Sequence, residues 1–189
     1  MVSVRVPATS ANLGPGFDCL GLALDLYARF DFDLMTRGLE ITGCREEDAG
    51  EDNLVYRAYV HTLTSFGLDV QGLRLRIDSD IPLSRGLGSS AACVAGGILG
   101  AAALHGLKLS NEETLKLAAE LEGHPDNAAP AIYGGLRVSL MEDGRALSLP
   151  CAVHPGLRFL ALVPDFELRT ADARAALPQS VPLKDAVYN

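Results

Sequence analysis

Positive charge is scarce in this chain: 16 Lys and Arg stand against 24 Asp and Glu, a formal charge of −8. A surface of that sign repels phosphates at long range and excludes a nucleic-acid platform as the expected partner. Small phosphate ligands stay compatible with it, provided that backbone amides, a helix terminus or a metal ion hold them. Cysteine is sparse too. Cys19, Cys44, Cys93 and Cys151 are scattered, with no CxxC pair and no histidine at metal-finger spacing. That argues against a disulfide framework or a zinc site and points to a reduced, cytoplasmic protein. No leader is expected, because Arg5 and Pro7 interrupt the start. A membrane span is not expected either: Gly86 to Leu104 is uncharged, but five glycines and six alanines would partition poorly into lipid. No Gly-Lys dipeptide occurs anywhere, which excludes a P-loop.

What is present is enough apolar sequence, 48% of residues, to bury a substantial core in one large domain or one domain plus part of another. Val2, Val4 and Val6 alternate with polar residues as a first strand, ended by Pro7. Ala8 to Asp18 reads as loop, and Leu20 to Leu34 as one or two strands. The acidic stretch Glu46 to Asp52 marks an exposed turn before a helix over about Asn53 to Phe66. Leu73, Leu75 and Ile77 alternate with Arg74, Arg76 and Asp78 in a half-buried strand. A glycine-serine segment then leads into a long alanine-rich helix. Ser110 with Glu113 three residues on predicts a capped helix over Asn111 to Glu122. Ile132 to Leu140 and Arg145 to Leu149 form an expected hairpin about Asp143-Gly144, and Leu157 to Val163 another apolar strand. A short helix is expected from about Thr170 to Ala176. Strands and helices interleave in an α+β class.

Three segments could carry chemistry. In PLSRGLGSSA, Pro82 to Ala91, Gly86 and Gly88 let the backbone approach a ligand, and first-turn amides with the helix dipole behind them suit a polyphosphate. Ser89 and Ser90 add hydroxyls within reach of a phosphate or a magnesium ion, although Ser89 would serve equally as a plain N-cap. The same residues match the degenerate dinucleotide pattern GxGxxA, but Pro82 to Arg85 separate it from a strand and a second helix follows, so that reading recedes. In EGHPDN, Glu122 to Asn127, a carboxylate ends a helix before a bent turn carrying imidazole, carboxylate and carboxamide. Metal ligation by Glu122 is compatible with this, and so is a turn held by Asp126 and Asn127 with a structural His124. In the loop after the first strand, Asn12 and Asp18 offer a carboxamide and a carboxylate to a small polar substrate.

Together and in this order, VRVPATSANLGPGFDCLGLAL, IPLSRGLGSSAA and EGHPDNAAPAIYGGL resemble the homoserine kinases of the GHMP small-molecule kinase superfamily, and PDFELRTADARAALPQSVPLKDAVYN continues the likeness. The resemblance implies a GHMP N-terminal domain, with the ribosomal protein S5 domain 2-like fold, over residues 1–155. It implies the first elements of a ferredoxin-like C-terminal domain over 156–189. It further implies transfer of the ATP γ-phosphoryl group to the hydroxyl of L-homoserine in threonine synthesis, with Mg2+ as cofactor and a homodimer by family habit.

Carried over by motif, Pro82, Leu83, Ser84, Arg85, Gly86, Leu87, Gly88, Ser89, Ser90, Ala91 and Ala92 would surround the ATP phosphates, and Asn53 matches the adenine-pocket region. Ser90 and Glu122, with Glu120 as rival, would hold the metal ion. Asn12, Asp18, His124, Asn127, Thr170 and Arg174 would hold homoserine, Asp18 taking the ammonium and Arg174 suiting the carboxylate. Asn127, Asp126 and Ser90 are the expected catalytic group, and Asn127 stands where other superfamily members use an aspartate base. The family's third, glycine-rich motif would lie beyond Asn189, so weak or no turnover is expected of these 189 residues alone. Another GHMP kinase for a related hydroxy amino acid, or a nonenzymatic binding module, are the alternatives.

Overall fold

The computed structural model describes residues 1–167 and 170–188, without the side chains of 170–172. A mixed sheet is built around one long strand, β2 (Leu20–Met35). β1 (Val2–Ala11) pairs antiparallel along one edge of it. The other edge takes β4 (Gly72–Ser79) beside its second half and β5 (Leu136–Glu142) beside Leu20, Gly21 and Leu22. β3 (Leu39–Thr42) adds to β4 in parallel and β6 (Arg145–Cys151) to β5 antiparallel, giving the order β3-β4-β2-β5-β6. The parallel step requires a crossover, and α1 (Leu54–Ser65) supplies it.

α2 (Ser89–His105) packs on β1 and β2 and carries α1 on one side and α3 (Asn111–Glu122) on the other. Its small residues permit that. An added Cβ would meet the Phe30 ring at 2.4 Å from Gly96, the Phe32 ring at 2.3 Å from Gly100 and the Val55 carbonyl at 2.3 Å from Gly97. Phe30, Phe32, Leu73, Leu75, Tyr59 and Leu63 are fully buried between sheet and helices. A short α4 (Ala128–Tyr133) follows α3, and α5 (Thr170–Ala175) and α6 (Leu183–Tyr188) lie in the tail.

Most expected elements are present, with three differences. β1 does not stop at Pro7: the register shifts between Pro7 and Thr9, and the strand resumes to Ala11. A bulge accommodates a proline because it removes the need for that ladder bond. Ile132 belongs to α4 and not to the hairpin, because Gly134 and Gly135 intervene with positive φ. Leu157 to Val163 is not a strand. Among the described residues no neighbouring strand pairs with it, and alternation alone leaves its N–H and C=O groups without a ladder.

Candidate active site

The loops at the N-terminal ends of α2 and α4 enclose a cleft of about 760 Å3 with the loop after β1. Gly88 caps α2 in the left-handed region at φ 66°, and no side chain caps that helix. Its first hydrogen bond runs from the Ala92 N–H to the Gly88 carbonyl, so the first-turn amides are left directed at the cleft. Gly88 is also required for space. A Cβ there would stand 2.0 Å from Thr9 Oγ1 and 3.1 Å from Asn127 Oδ1. The Thr9 N–H donates to the Leu87 carbonyl at 3.1 Å, tying the glycine-serine loop to β1.

Across the cleft, Ser90 Oγ donates to Glu122 Oε2 at 3.0 Å. Burial pushes the Glu122 carboxyl above the ordinary carboxylate range, against the lowering effect of the Ser90 hydroxyl. Glu120 sits elsewhere: it lies outside the cleft lining, 3.0 Å from His61 Nε2. Among the described residues no three His, Cys, Asp or Glu side chains cluster as a metal cage. The oxygen pair of Ser90 and Glu122 suits magnesium instead, which takes one or two protein oxygens and completes its shell with phosphate and water.

Asp126 is fully buried beside this pair. Its Oδ1 lies 2.5 Å from His124 Nδ1 and accepts from the Asn127 N–H at 2.8 Å, while Oδ2 is buried with no partner among the described residues. That bond to Asp126 raises the His124 imidazole above its usual value, overcoming partial burial. Arg85 also lines the cleft, with a buried Nη1 that lacks a partner among the described residues. A buried orphan acceptor and a buried orphan donor in one cleft fit a ligand carrying both signs of charge.

Asn12 and Asp18 both adopt positive φ, and Asn12 Oδ1 accepts from the Asp18 N–H at 2.8 Å, so the two residues brace one loop. Asp18 pairs with Arg174 of α5, Arg174 Nη1 donating to Asp18 Oδ2 at 3.2 Å and Nη2 to Asp18 Oδ1. The two residues expected to grip opposite ends of a substrate thus grip each other. Thr170 opens α5, but its side chain lies outside the described residues.

Of the expected phosphate-loop residues, Ser84 to Ser90 line the cleft, whereas Leu83 lines a second cavity of about 270 Å3. Pro82, Ala91 and Ala92 flank the loop, the two alanines buried in α2. Asn53 lines that second cavity together with Ser89, which borders both spaces. Its carboxamide is occupied as the N-cap of α1, accepting from Val55 N–H at 3.0 Å and donating to the Asp48 carbonyl at 2.9 Å. Thr9 was not expected from sequence. Its partner Asn127 lies 118 residues on, and only the folded register of β1 brings them together.

The model of the GHMP kinases N terminal domain matches residues 53–135, from the cap of α1 through α4. The chain is 49% identical over its full 189 residues to a homoserine kinase of Clostridium botulinum, strain Loch Maree, and 46% identical over 190 aligned positions to one of Clostridium beijerinckii. It spans 64% of the length of each of these relatives. A crystal structure of homoserine kinase from Cytophaga hutchinsonii superposes with a TM-score of 0.82 at 30% identity, over 98% of this chain and 63% of the other. Residues 53–135 therefore match the GHMP kinase N-terminal domain, and the Clostridium relatives that align along the whole of this chain are homoserine kinases.

Proposed function

We propose that this chain belongs to a kinase that transfers the γ-phosphoryl group of ATP to the hydroxyl of L-homoserine, residues 1–155 supplying the phosphate site and 156–189 opening a second domain. The observation that carries the reading is the Asp18–Arg174 ion pair, whose arginine lines the same cleft as the uncapped terminus of α2. A zwitterionic amino acid replaces that pair group for group, ammonium on Asp18 and carboxylate on Arg174. The side-chain hydroxyl then points toward Asn127 and the phosphate loop.

Each protein group has a role that its position supports. The α2 amides and Arg85 neutralise phosphate oxygens, a means of binding anions that suits an acidic chain. Ser90 and Glu122 would hold Mg2+, and the ion supplies charge neutralisation on the phosphates when bound. His124 holds Asp126 in place, and Asp126 in turn fixes the turn that carries Asn127. In the transfer, the homoserine oxygen forms a bond to the γ-phosphorus as the bond to ADP breaks. Asn127 lacks the basicity to take the hydroxyl proton, which passes instead to an oxygen of the transferred phosphoryl group, so positioning and electrostatic stabilisation carry the rate. Four free thiols suit a cytoplasmic setting, and a homodimer completes the reading, tested by light scattering.

Calorimetric titration tests the site. With a nonhydrolysable ATP analogue and Mg2+ present, L-homoserine should bind saturably and in preference to threonine, serine and mevalonate. Asp18→Asn should weaken it by about tenfold or more, the scale of a lost charge-assisted hydrogen bond. Equal affinity for all four compounds, or an indifferent Asp18→Asn variant, refutes the assignment.

A further inference from the structure

We infer that Thr9 is a positioning residue, fixing which end of the Asn127 carboxamide faces the cleft and holding it in register with the phosphate loop. Its role in catalysis rests on the kinase reading above; the latch itself rests on geometry alone.

Three contacts meet at this threonine. Its hydroxyl donates to Asn127 Oδ1 at 2.8 Å, and its N–H donates to the Leu87 carbonyl at 3.1 Å. Its Oγ1 also stands where a Cβ on residue 88 would fall, 2.0 Å from that position. Thr9 is fully buried, so no water competes for the hydroxyl proton. A carboxamide has one acceptor end and one donor end. With Oδ1 engaged by Thr9 and drawn toward Gly88, Nδ2 is the end presented to the cleft that Asn127 lines. Asn127 therefore meets a ligand as a hydrogen-bond donor, suited to the hydroxyl or phosphoryl oxygen of the reacting pair and unsuited to accepting a proton. The bulge between Pro7 and Thr9 has a purpose in this arrangement. By shifting the register of β1 it brings the Thr9 side chain under the loop and the turn together.

The roll of contacts also explains why Gly88 and Thr9 act as a pair. The loop can lie this close to β1 only without a side chain at residue 88, and the space left is filled by a hydroxyl that serves a residue on a third segment. β1, the α2 loop and the α4 turn are thereby tied through one residue, by its backbone N–H and its hydroxyl.

The test compares Thr9→Val, which keeps the shape and removes the hydroxyl, with Thr9→Ser, which keeps the hydroxyl. The first readout needs no ligand: the side-chain NH2 signals of Asn127 in the 15N-labelled chain, assigned by their loss in Asn127→Ala. Thr9→Val should shift and broaden them, and Thr9→Ser should restore the wild-type pattern. Unchanged signals in a folded Thr9→Val variant overturn the latch. The second readout is L-homoserine affinity beside the ATP analogue, expected to fall about tenfold in Thr9→Val and less than about twofold in Thr9→Ser, with affinity for the analogue itself unchanged. Equal homoserine affinity in both variants also overturns it. Should the wild-type chain bind neither compound, the kinase reading fails while the NH2 signals still decide the latch.

Discussion

At the scale of single residues, burial sets behaviour that composition does not. Tyr59 is fully buried, stacks between Phe32 and Tyr56, and places its hydroxyl 2.7 Å from His105 Nε2. Burial pushes its phenol up to about 12, and the neighbouring Tyr56 adds to the shift. The unfolded chain ionises near the ordinary tyrosine value of about 10, so it releases the proton first as pH rises. The stability linked to Tyr59 is thus complete below about pH 10 and lost between there and about 12. Tyr59→Phe should flatten that alkaline decline in denaturant titrations while costing about 1 kcal/mol at neutral pH through the lost hydrogen bond. Candidate site residues on local motifs were legible in the sequence: Asn12, Asp18, Ser90, Glu122 and Asn127 all line or border one cleft region. Thr9 was not, because nothing local distinguishes a threonine that bonds across 118 residues. Glu120 and Glu122 could not be separated by spacing alone; their neighbours His61 and Ser90, on α1 and α2, separate them.

At the scale of elements, signals confined to one segment were readable and those needing a partner were not. The Ser110–Glu113 capping box is present in both directions, Ser110 N–H to Glu113 Oε2 at 2.8 Å and Glu113 N–H to Ser110 Oγ at 3.2 Å. Ser110→Ala should cost about 1 kcal/mol, measured as a lower denaturant midpoint at constant m-value. The strand expected at Leu157 to Val163 is absent because a strand exists only against another, and alternation says nothing of whether that other is there. α2 shows the opposite case. Its glycines lower helix propensity, yet the helix runs for 17 residues because tertiary packing outweighs that penalty. Gly97→Ala places a methyl against the Val55 carbonyl and Ala58 Cβ, 2.3 and 2.7 Å away. Neither neighbour can swing aside, so a loss of about 1–3 kcal/mol is expected on equilibrium unfolding.

Across the whole molecule, the N-terminal loop and the tail meet at the ion pair of Asp18 and Arg174, whose side chains are 40% and 38% exposed. Exposure of that order makes the pair a small contributor to global stability, about 1 kcal/mol or less. Its larger effect is local, since few other contacts join α5 to the sheet domain among the described residues. Asp18→Asn should leave the melting temperature nearly unchanged yet speed tryptic cleavage after Arg158 severalfold. Equal cleavage rates would show that other contacts hold the tail. The class and layering of the fold were legible because the N-terminal domain is dense in local pattern. The path of the tail was not, since its placement rests on long-range pairs such as Asp18–Arg174 and Arg45–Glu167. The Asp18–Arg174 pair also sets an order in time. Asp18 and Arg174 are separated by 156 residues, which at about 5–20 residues per second of synthesis is a delay of roughly 8–30 s. During that interval the nascent sheet and α2 can already be folded while the carboxylate of Asp18 waits in solvent for its arginine. On the ribosome, the loop before α2 is ready before the Asp18–Arg174 pair can close.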